Sequence, residues 1–262
     1  MDWENWEPWY NKIISDFGYD PQKDLESSLI LNDFLKKRVN KKDFKDLIEI
    51  IKDNIVFIYG CGPSLPHHLQ LLKNSPLQLE KFIHIAANGA TSALLEYNII
   101  PNIVVTDLDG QITDLMEANK MGAILIIHAH GDNIDTINQY ISQFHGSLMG
   151  TTQNQTLNNV KNYGGFTDGD RCVYIAEELG ASIIILFGFD FGNIIGKFSK
   201  FYLKQDEIAN EIKLKKLQWA QILIKELSIN SKILIIKVNG KKIKLGNVKN
   251  YEFRDLIKKL KP

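Results

Sequence analysis

Short apolar runs that alternate with helical stretches constrain the fold of this chain more than any other feature of its sequence. The runs, in chain order, are IVFIY (55–59), FIHIA (82–86), NIVVT (102–106), AILIIH (123–128), SLMGT (147–151) and SIIILF (182–187). They are rich in β-branched residues and short, so each predicts a buried strand. Strands alternating with helices are typical of βαβ units. We therefore predict an α/β fold with a mostly parallel sheet and helices on both faces.

The two ends of the chain differ from this central part in their pattern of apolar residues. Residues 1–50 contain DLESSLILNDFLKKRV and KKDFKDLIEIIKDN, whose apolar residues recur three and four positions apart and predict helices. We expect 1–50 to be an N-terminal helical segment packed on a main domain that spans 51–262. Near the C-terminus, KILIIKV, an NG turn at Asn239 and Gly240, and KIKLG predict a small strand or hairpin extension.

Composition narrows the classes of function. Lysine plus arginine total 31 and aspartate plus glutamate also total 31, so the chain has no overall positive field for a nucleic-acid backbone. Cys61 and Cys172 lack the spacing of a disulfide framework or a zinc site. The N-terminus shows no secretory pattern, and the apolar runs fall short of the roughly 20 residues that span a bilayer. We expect a cytoplasmic protein without nucleic-acid or membrane partners.

Polar clusters follow the predicted strands where each apolar run ends. They are GCGPSL, ANGAT, DLDG, HAHGDN and GFDFGN, and GGFTDGDR precedes a further helix. In open α/β sheets, ligands bind outside the carboxyl ends of the strands, where the strand-to-helix loops gather. The sequence therefore predicts one site built from these clusters.

The TDLDG cluster is the sharpest of these signals. In an extended segment Asp107 and Asp109 point to the same face, roughly 6–7 Å apart at about 3.3 Å of rise per residue. Carboxylate pairs of this kind suit Mg²⁺, which prefers oxygen ligands and keeps waters and substrate phosphates in its shell. Asp190 in GFDFGN is a further metal or substrate ligand. The alternative is an ordinary turn, because Asp and Gly are common turn residues.

Two glycine-containing clusters are candidates for phosphate or nucleotide binding. In the first, Gly60 and Gly62 allow close backbone approach, Pro63 opens a helix, and Ser64 offers a hydroxyl near its N-terminus. The second cluster places Asn88 and Gly89 at another strand end. A plain strand-to-helix turn remains the alternative for both.

The HAHGDN cluster carries two histidines, His128 and His130, followed by Asp132 and Asn133. Histidines with an aspartate are typical of zinc or iron sites, but no third nearby histidine or cysteine completes a ligand set. Binding of phosphate or substrate, or proton transfer by a histidine, fits this cluster better.

The FTDGDR cluster comes immediately before an amphipathic helix. It places Thr167, Asp168 and Asp170 where they can bind a nucleotide, although Asp168 can instead cap the helix. The guanidinium of Arg171 is well shaped for bidentate contact with phosphate oxygens.

Taken in order, the six clusters GCGPSL, ANGAT, TDLDG, HAHGDN, FTDGDR and GFDFG resemble the archaeal 6-hydroxymethyl-7,8-dihydropterin pyrophosphokinases. The likeness runs from the tryptophan-rich start to about residue 225. It implies a Rossmann-like core, similar to the catalytic domain of thiamine pyrophosphokinases. It also implies an enzyme that uses Mg²⁺ to transfer diphosphate from ATP to the pterin hydroxymethyl group and releases AMP. The reaction would belong to the synthesis of folate or of a methanopterin-type cofactor.

The resemblance and the residues together suggest a division of roles. Small-molecule partners would be ATP and the reduced hydroxymethylpterin, and a homodimer is left open. Catalytic residues would be Asp107, Asp109, Arg171 and His130, and Mg²⁺ ligands would be Asp107, Asp109 and Asp190. The nucleotide or acceptor would contact Gly60, Gly62, Pro63, Ser64, Asn88, Gly89, Asp132, Asn133, Thr167, Asp168 and Asp170.

Three rival interpretations remain. The GPSL loop also resembles the nucleotide-binding loop of sialyltransferase-like proteins, which makes a glycosyltransferase using a nucleotide sugar the first alternative. A thiamine pyrophosphokinase would share the chemistry, but its aspartate motif ends in serine where this chain has Gly110. A non-catalytic nucleotide-binding module would not need so many carboxylates.

Overall fold

A computed structural model describes residues 1–38, 41–238 and 243–260. Its helices are α1 Trp3–Phe17, α2 Pro21–Lys36, α3 Lys41–Ile51, α4 Leu65–Lys73, α5 Ala90–Glu96, α6 Ile112–Lys120, α7 Ile134–Tyr140, α8 Asp168–Glu178, α9 Glu211–Asn230 and α10 Phe253–Leu260. Within the described ranges, no helix is long and apolar enough to cross a membrane.

The strands form one large sheet and one small one. They are β1 Ile55–Tyr59, β2 Ile83–Ala87, β3 Ile103–Thr106, β4 Ile124–Ala129, β5 Leu148–Thr152, β6 Val160–Lys161, β7 Ile183–Phe187, β8 Ile194–Ile195, β9 Glu207–Ile208, β10 Leu234–Val238 and β11 Lys249–Tyr251. The large sheet has the order β11-β10-β7-β1-β2-β3-β4-β5-β6. Each of its strand pairs is parallel. The predicted α/β fold is therefore confirmed.

The six apolar runs all form strands of this sheet, and KILIIKV forms β10. The C-terminal extension is formed by β10 and β11, which pair in parallel and not as a hairpin. Residues 243–246, the described part of the predicted KIKLG strand, form no strand. The NG turn at Asn239 and Gly240 lies outside the described residues. An antiparallel pair occurs elsewhere, between the two-residue strands β8 and β9 that precede α9. These strands are too short for a periodic pattern to reveal them in the sequence.

The large sheet is buried on both faces because helices cover both. Side chains alternate along a strand, so Val56 and Ile58 of β1 join one core layer, and Phe57 and Tyr59 join the other. Trp6 of α1 packs in the first layer with residues of α3, α8 and α9. Residues of α2, together with α4 to α7, fill the second layer. The N-terminal helices thus cover parts of both faces, while a domain boundary at residue 50 stays a prediction.

The carboxyl ends of β1 and β7 meet with very little space between them. The Gly60 amide donates to Phe187 O at 2.9 Å, and the Gly62 amide donates to Gly188 O at the same distance. Gly188 has a φ of +71°, and a Cβ placed on it would lie 2.2 Å from the Gly60 carbonyl oxygen. A side chain at this position would therefore have to separate two backbone segments that lead into the site.

We expect Gly188→Ala to lower the free energy of unfolding by about 2–4 kcal/mol, the sum of left-handed strain and overpacking. Gly18→Ala is the matched control, because Gly18 has a φ of +67° but nothing within 4 Å of an added Cβ. The control should lose only the strain component, about 1–2 kcal/mol. Urea unfolding of both variants measures the difference, and equal losses would contradict the close approach of the two backbones.

Candidate functional site

A cavity of about 330 Å³ opens at the carboxyl edge of the large sheet. Its walls come from the loops after the central strands, from α8 and α9, and from the connection between α1 and α2. It brings together many of the residues that the sequence analysis selected, namely Gly60, Gly62, Asn88, Gly89, Asp107, Asp109, His130, Asp132, Thr167, Asp168, Asp170 and Asp190. The other four, Pro63, Ser64, Asn133 and Arg171, do not line it.

Asp107 and Asp109 are held together by the side chain of Asn88. The Asn88 amide nitrogen donates to Asp107 Oδ1 at 3.1 Å and also to Asp109 Oδ1. The orientation of that amide is fixed because the Thr106 hydroxyl donates to Asn88 Oδ1 at 3.0 Å. A Cβ at Gly110 would lie 2.4 Å from the same Oδ1, so the turn leaves room only for glycine here. The turn and the paired carboxylates are thus parts of one arrangement.

Each carboxylate of the pair also faces a basic group. His130 Nε2 lies 3.7 Å from Asp107 Oδ2, and the Lys200 ammonium contacts Asp109 Oδ2. Burial raises the pKa of Asp107, but the hydrogen bond and charge of His130 outweigh it and hold that pKa below its usual range. Burial and the Asp107 charge raise the pKa of Asp109. The pKa values of the two carboxyl groups therefore shift in opposite directions.

A third carboxyl group, that of Asp168, lies close to this pair. The pKa of Asp168 is raised well above its usual value by burial and by the charges of Asp107 and Asp109. Carboxylates that repel one another in this way are a favourable environment for a divalent cation bound through oxygen. The donor set therefore fits Mg²⁺ at the Asp107–Asp109 pair.

The described residues contain no group of three or more histidine, cysteine, aspartate or glutamate side chains arranged to hold a metal ion. Mg²⁺ does not require such a group, because it is usually bound by one or two carboxylates plus waters and substrate phosphates. Asp190 stays a predicted third ligand. It lines the cavity, and its Oδ2 accepts from the Ser64 amide and hydroxyl at 3.0 and 2.8 Å.

This contact corrects the phosphate-loop hypothesis for Pro63 and Ser64. The free amide at the start of α4 that the sequence offered to phosphate already binds the Asp190 carboxylate. Beneath it, His68 Nδ1 accepts a hydrogen bond from the Gly188 amide at 3.1 Å. Burial lowers the pKa of His68 to about 4, which keeps this imidazole neutral. Gly60 and Gly62 remain on the cavity wall.

Arg171 lies beneath the cavity rather than in its wall. Its side chain is fully buried and donates to Gly164 O at 3.1 Å and Phe166 O at 3.4 Å. It also donates to His128 Nε2 at 3.1 Å. Burial and the Arg171 charge lower the pKa of His128 well below its usual value, so the imidazole can accept this bond. The geometry gives Arg171 a role in holding the loop and His128, and it does not support the predicted phosphate contact.

The helix cap that the sequence assigned to Asp168 belongs to its neighbours. Asp170 Oδ1 accepts from the Thr167 amide at 2.8 Å, and its Oδ2 accepts from the Phe166 amide at 2.6 Å. Thr167 and Asp170 together form a capping box at the start of α8. Asp168 is consequently not needed for the cap, and it lines the cavity.

Asn133 supports the carboxylate pair from behind. Its amide donates to the backbone carbonyl oxygens of Asp107 at 2.9 Å and His128 at 2.7 Å. These two bonds join the loop after β3 to the end of β4. Asn133 is 4% exposed, and its amide group is used for these two backbone contacts behind the pair.

Several cavity residues were missed by the sequence analysis. Tyr19 lies between α1 and α2, and Asp24 lies in α2. Gln153 follows β5, and Lys200 lies in the segment after β8. Their contacts join distant parts of the chain, as in the bond from Gln153 Nε2 to Asp24 Oδ2 at 2.8 Å. No local motif marks them, since each residue type is common on helices and loops.

The fold and the cavity define an α/β protein whose ligand site lies at the carboxyl edge of an open parallel sheet. A family model described as 6-hydroxymethylpterin diphosphokinase MptE-like matches residues 32–196. Two proteins named 6-hydroxymethyl-7,8-dihydropterin pyrophosphokinase are similar to the chain. The one from Methanocaldococcus jannaschii is 44% identical, covering 90% of this chain and all of the relative. The one from Pyrococcus furiosus is 43% identical, covering 90% and 99%. The chain belongs to this family.

A solved structure titled MAf glycosyltransferase, from Magnetospirillum magneticum AMB-1, shares the fold with a TM-score of 0.53. Sequence identity is 14%, and the match covers 79% of this chain and 38% of that chain. At this identity the likeness concerns the fold alone.

The role of Arg171 can be tested through stability. We expect Arg171→Met to lower the free energy of unfolding by about 3–5 kcal/mol, because it removes a buried charge whose partners are then left unsatisfied. Arg254→Met, at an exposed position, is the matched control and should change stability by about 0.5 kcal/mol or less. Denaturant unfolding of both variants provides the measurement. A stable Arg171→Met protein would return this arginine to the ligand-binding role.

Proposed function

We propose that the protein transfers diphosphate from ATP to 6-hydroxymethyl-7,8-dihydropterin and releases AMP. The names of its relatives support the pterin substrate and the diphosphate group. The observation that carries the proposal is the Asp107–Asp109 pair, held by Asn88 at the wall of the cavity. Diphosphoryl transfer needs charge neutralisation and alignment more than a protein nucleophile, and this arrangement supplies both.

The reaction makes and breaks one bond at the β-phosphorus of ATP. The pterin hydroxymethyl oxygen would attack that phosphorus, and the bond to the oxygen bridging the α- and β-phosphates would break, so that AMP leaves with that oxygen. The hydroxyl proton must be lost in the process. We propose that this proton passes to solvent water, and that His130, which lines the cavity beside Asp107, orients that carboxylate.

Asp107 and Asp109 would hold Mg²⁺, with Asp168 close enough to influence both through its charge. When bound there, Mg²⁺ would neutralise phosphate charge and hold the transferred group in line. Lys200 contacts Asp109, and Lys213 also lines the cavity. Both ammonium groups are suitable partners for phosphate oxygens.

One assay tests the proposal directly. The protein is incubated with ATP, Mg²⁺ and reduced hydroxymethylpterin, and AMP and pterin diphosphate are measured by chromatography. We expect the two products in equal amounts. Turnover of a nucleotide sugar or of thiamine, with no pterin diphosphate formed, would replace this proposal with one of the two rival enzymes.

The carboxylate pair can be tested by substitution. We expect Asp107→Asn and Asp109→Asn each to lower kcat by about 10²-fold or more, because each removes charge that the transition state requires. Asp255→Asn, on the exposed face of α10, should leave kcat unchanged. Circular dichroism and thermal unfolding would check that all three variants fold. Near-normal turnover in both site variants would leave the pair with a turn-forming role only.

A further inference from the structure

The cavity has an end that the phosphate chemistry does not use. It is formed by the connection between α1 and α2 and by the residue after β5, and its members are Tyr19, Asp24, Phe166 and Gln153. We infer that this end binds the pterin ring of the acceptor, with Gln153 and Asp24 accepting hydrogen bonds from its 2-amino-pyrimidinone edge. The inference rests on the proposed function and names the subsite within it.

Gln153 carries an unused acceptor at the cavity wall. Its side chain is 2% exposed, and its amide nitrogen donates to Asp24 Oδ2 at 2.8 Å. Its Oε1 atom is buried and has no hydrogen-bond partner among the described residues. A buried amide oxygen without a partner is unfavourable, so a ligand that donates to it gains a strong preference over one that does not.

Asp24 holds this acceptor in place and adds a second one. Besides Gln153, it accepts from the Gly131 amide at 2.7 Å and from the Tyr10 hydroxyl at 3.1 Å. A carboxylate offers about four acceptor positions, so these three donors leave room for another. Asp24 is 3% exposed and lines the cavity.

The chemistry of this end distinguishes the two flat rings of the reaction. The pterin edge presents its 2-amino group and its N3–H side by side, which gives two donors for two acceptors. The corresponding edge of adenine presents one amino donor beside the acceptor N1. An acceptor pair made of Gln153 Oε1 and Asp24 therefore favours the pterin.

Aromatic side chains complete the subsite. Tyr19 and Phe166 both line the cavity, and their ring centroids lie 6.4 Å apart. Phe17 packs behind both rings, with centroids at 5.3 and 5.1 Å. Lys216 Nζ lies 5.8 Å from the Tyr19 centroid and 5.9 Å from the Phe166 centroid, so a bicyclic heterocycle would pack against these rings beside that ammonium group.

The position of this end relative to the carboxylates also fits the acceptor. Asp24 bonds to Gly131, which directly follows His130, the partner of Asp107. A pterin whose amino edge lies at Asp24 has its C6 hydroxymethyl group at the opposite side of the bicycle. That group would then face the end of the cavity where the diphosphate is transferred.

The test measures the affinity of 6-hydroxymethyl-7,8-dihydropterin by calorimetry, with Mg²⁺ and a saturating non-hydrolysable ATP analogue present. We expect Gln153→Leu to raise its Kd about tenfold or more, while the Kd of the ATP analogue measured alone changes less than about twofold. Gln155→Leu is the matched control, because Gln155 is exposed two residues away. It should leave both affinities unchanged.

A change of ligand gives a second measurement, the preference for pterin over lumazine, which a purely structural role of Gln153 would not affect. In the corresponding lumazine an oxygen replaces the 2-amino group, and wild-type protein should bind it about tenfold or more weakly than the pterin. Gln153→Leu should lose this preference. If that variant does not fold, Tyr19→Ala provides the second test, with an expected rise in the pterin Kd of about fivefold or more and no change in nucleotide affinity.

Three outcomes would overturn the inference. Unchanged pterin affinity in Gln153→Leu, or an equal preference for pterin and lumazine in the wild type, would remove the amino edge from this subsite. If Gln153→Leu lost affinity for the nucleotide and kept its affinity for the pterin, this end of the cavity would be assigned to adenine. In these cases diphosphate transfer to the pterin would still be measured in the wild-type protein. Absence of both pterin binding and transfer in the wild type would refute the proposed function itself.

Discussion

The hydrogen bonds from the Asn88 amide to Asp107 and Asp109 are the contact on which the site depends. Two carboxylates of like charge stay close only if donors compensate for their repulsion, and Asn88 supplies one donor group to both. The sheet makes this contact, because Ala87 of β2 is in register with Val105 of β3. The register brings Asn88 beside the loop after β3, and the Thr106 hydroxyl then fixes its orientation.

The polar residues around the cavity divide into those that face it and those that hold its loops. Arg171, Asn133 and Ser64 form their hydrogen bonds with the backbone or with neighbouring side chains. Such bonds fix the loops, because a buried polar group must find a partner within the protein. The apolar layers on both faces of the sheet stabilise the fold and so offset the free-energy cost of burying these polar groups. The loop that carries Asp107 is thus bonded to the end of β4 through Asn133.

Local patterns in the sequence were sufficient for the fold. The assumption that Asp107 to Asp109 is extended was wrong, because Leu108 between them has a φ of +67°. The run IVFIY is apolar throughout because β1 is buried on both faces, and the end of NIVVT marks where Asp107 leaves the sheet. The direction that a loop side chain takes was not predictable. Arg171 and Asp168 share one cluster, yet only Asp168 lines the cavity, since α8 turns the arginine inwards. The Asp24–Gln153 bond joins residues 129 positions apart, and neither has a local signature.

Stability and ligand binding are coupled at this cavity by the unfavourable charges that the fold keeps there. Burial and the negative charges of Asp107 and Asp109 raise the pKa of Asp168, so the protein without ligands holds these carboxylates at a cost. A ligand that brings positive charge to the group removes part of that cost and stabilises the folded state by mass action. Under the proposed function, a cation with its phosphates would be such a ligand. The large parallel sheet, with its two apolar layers, provides the stability against which this cost is set.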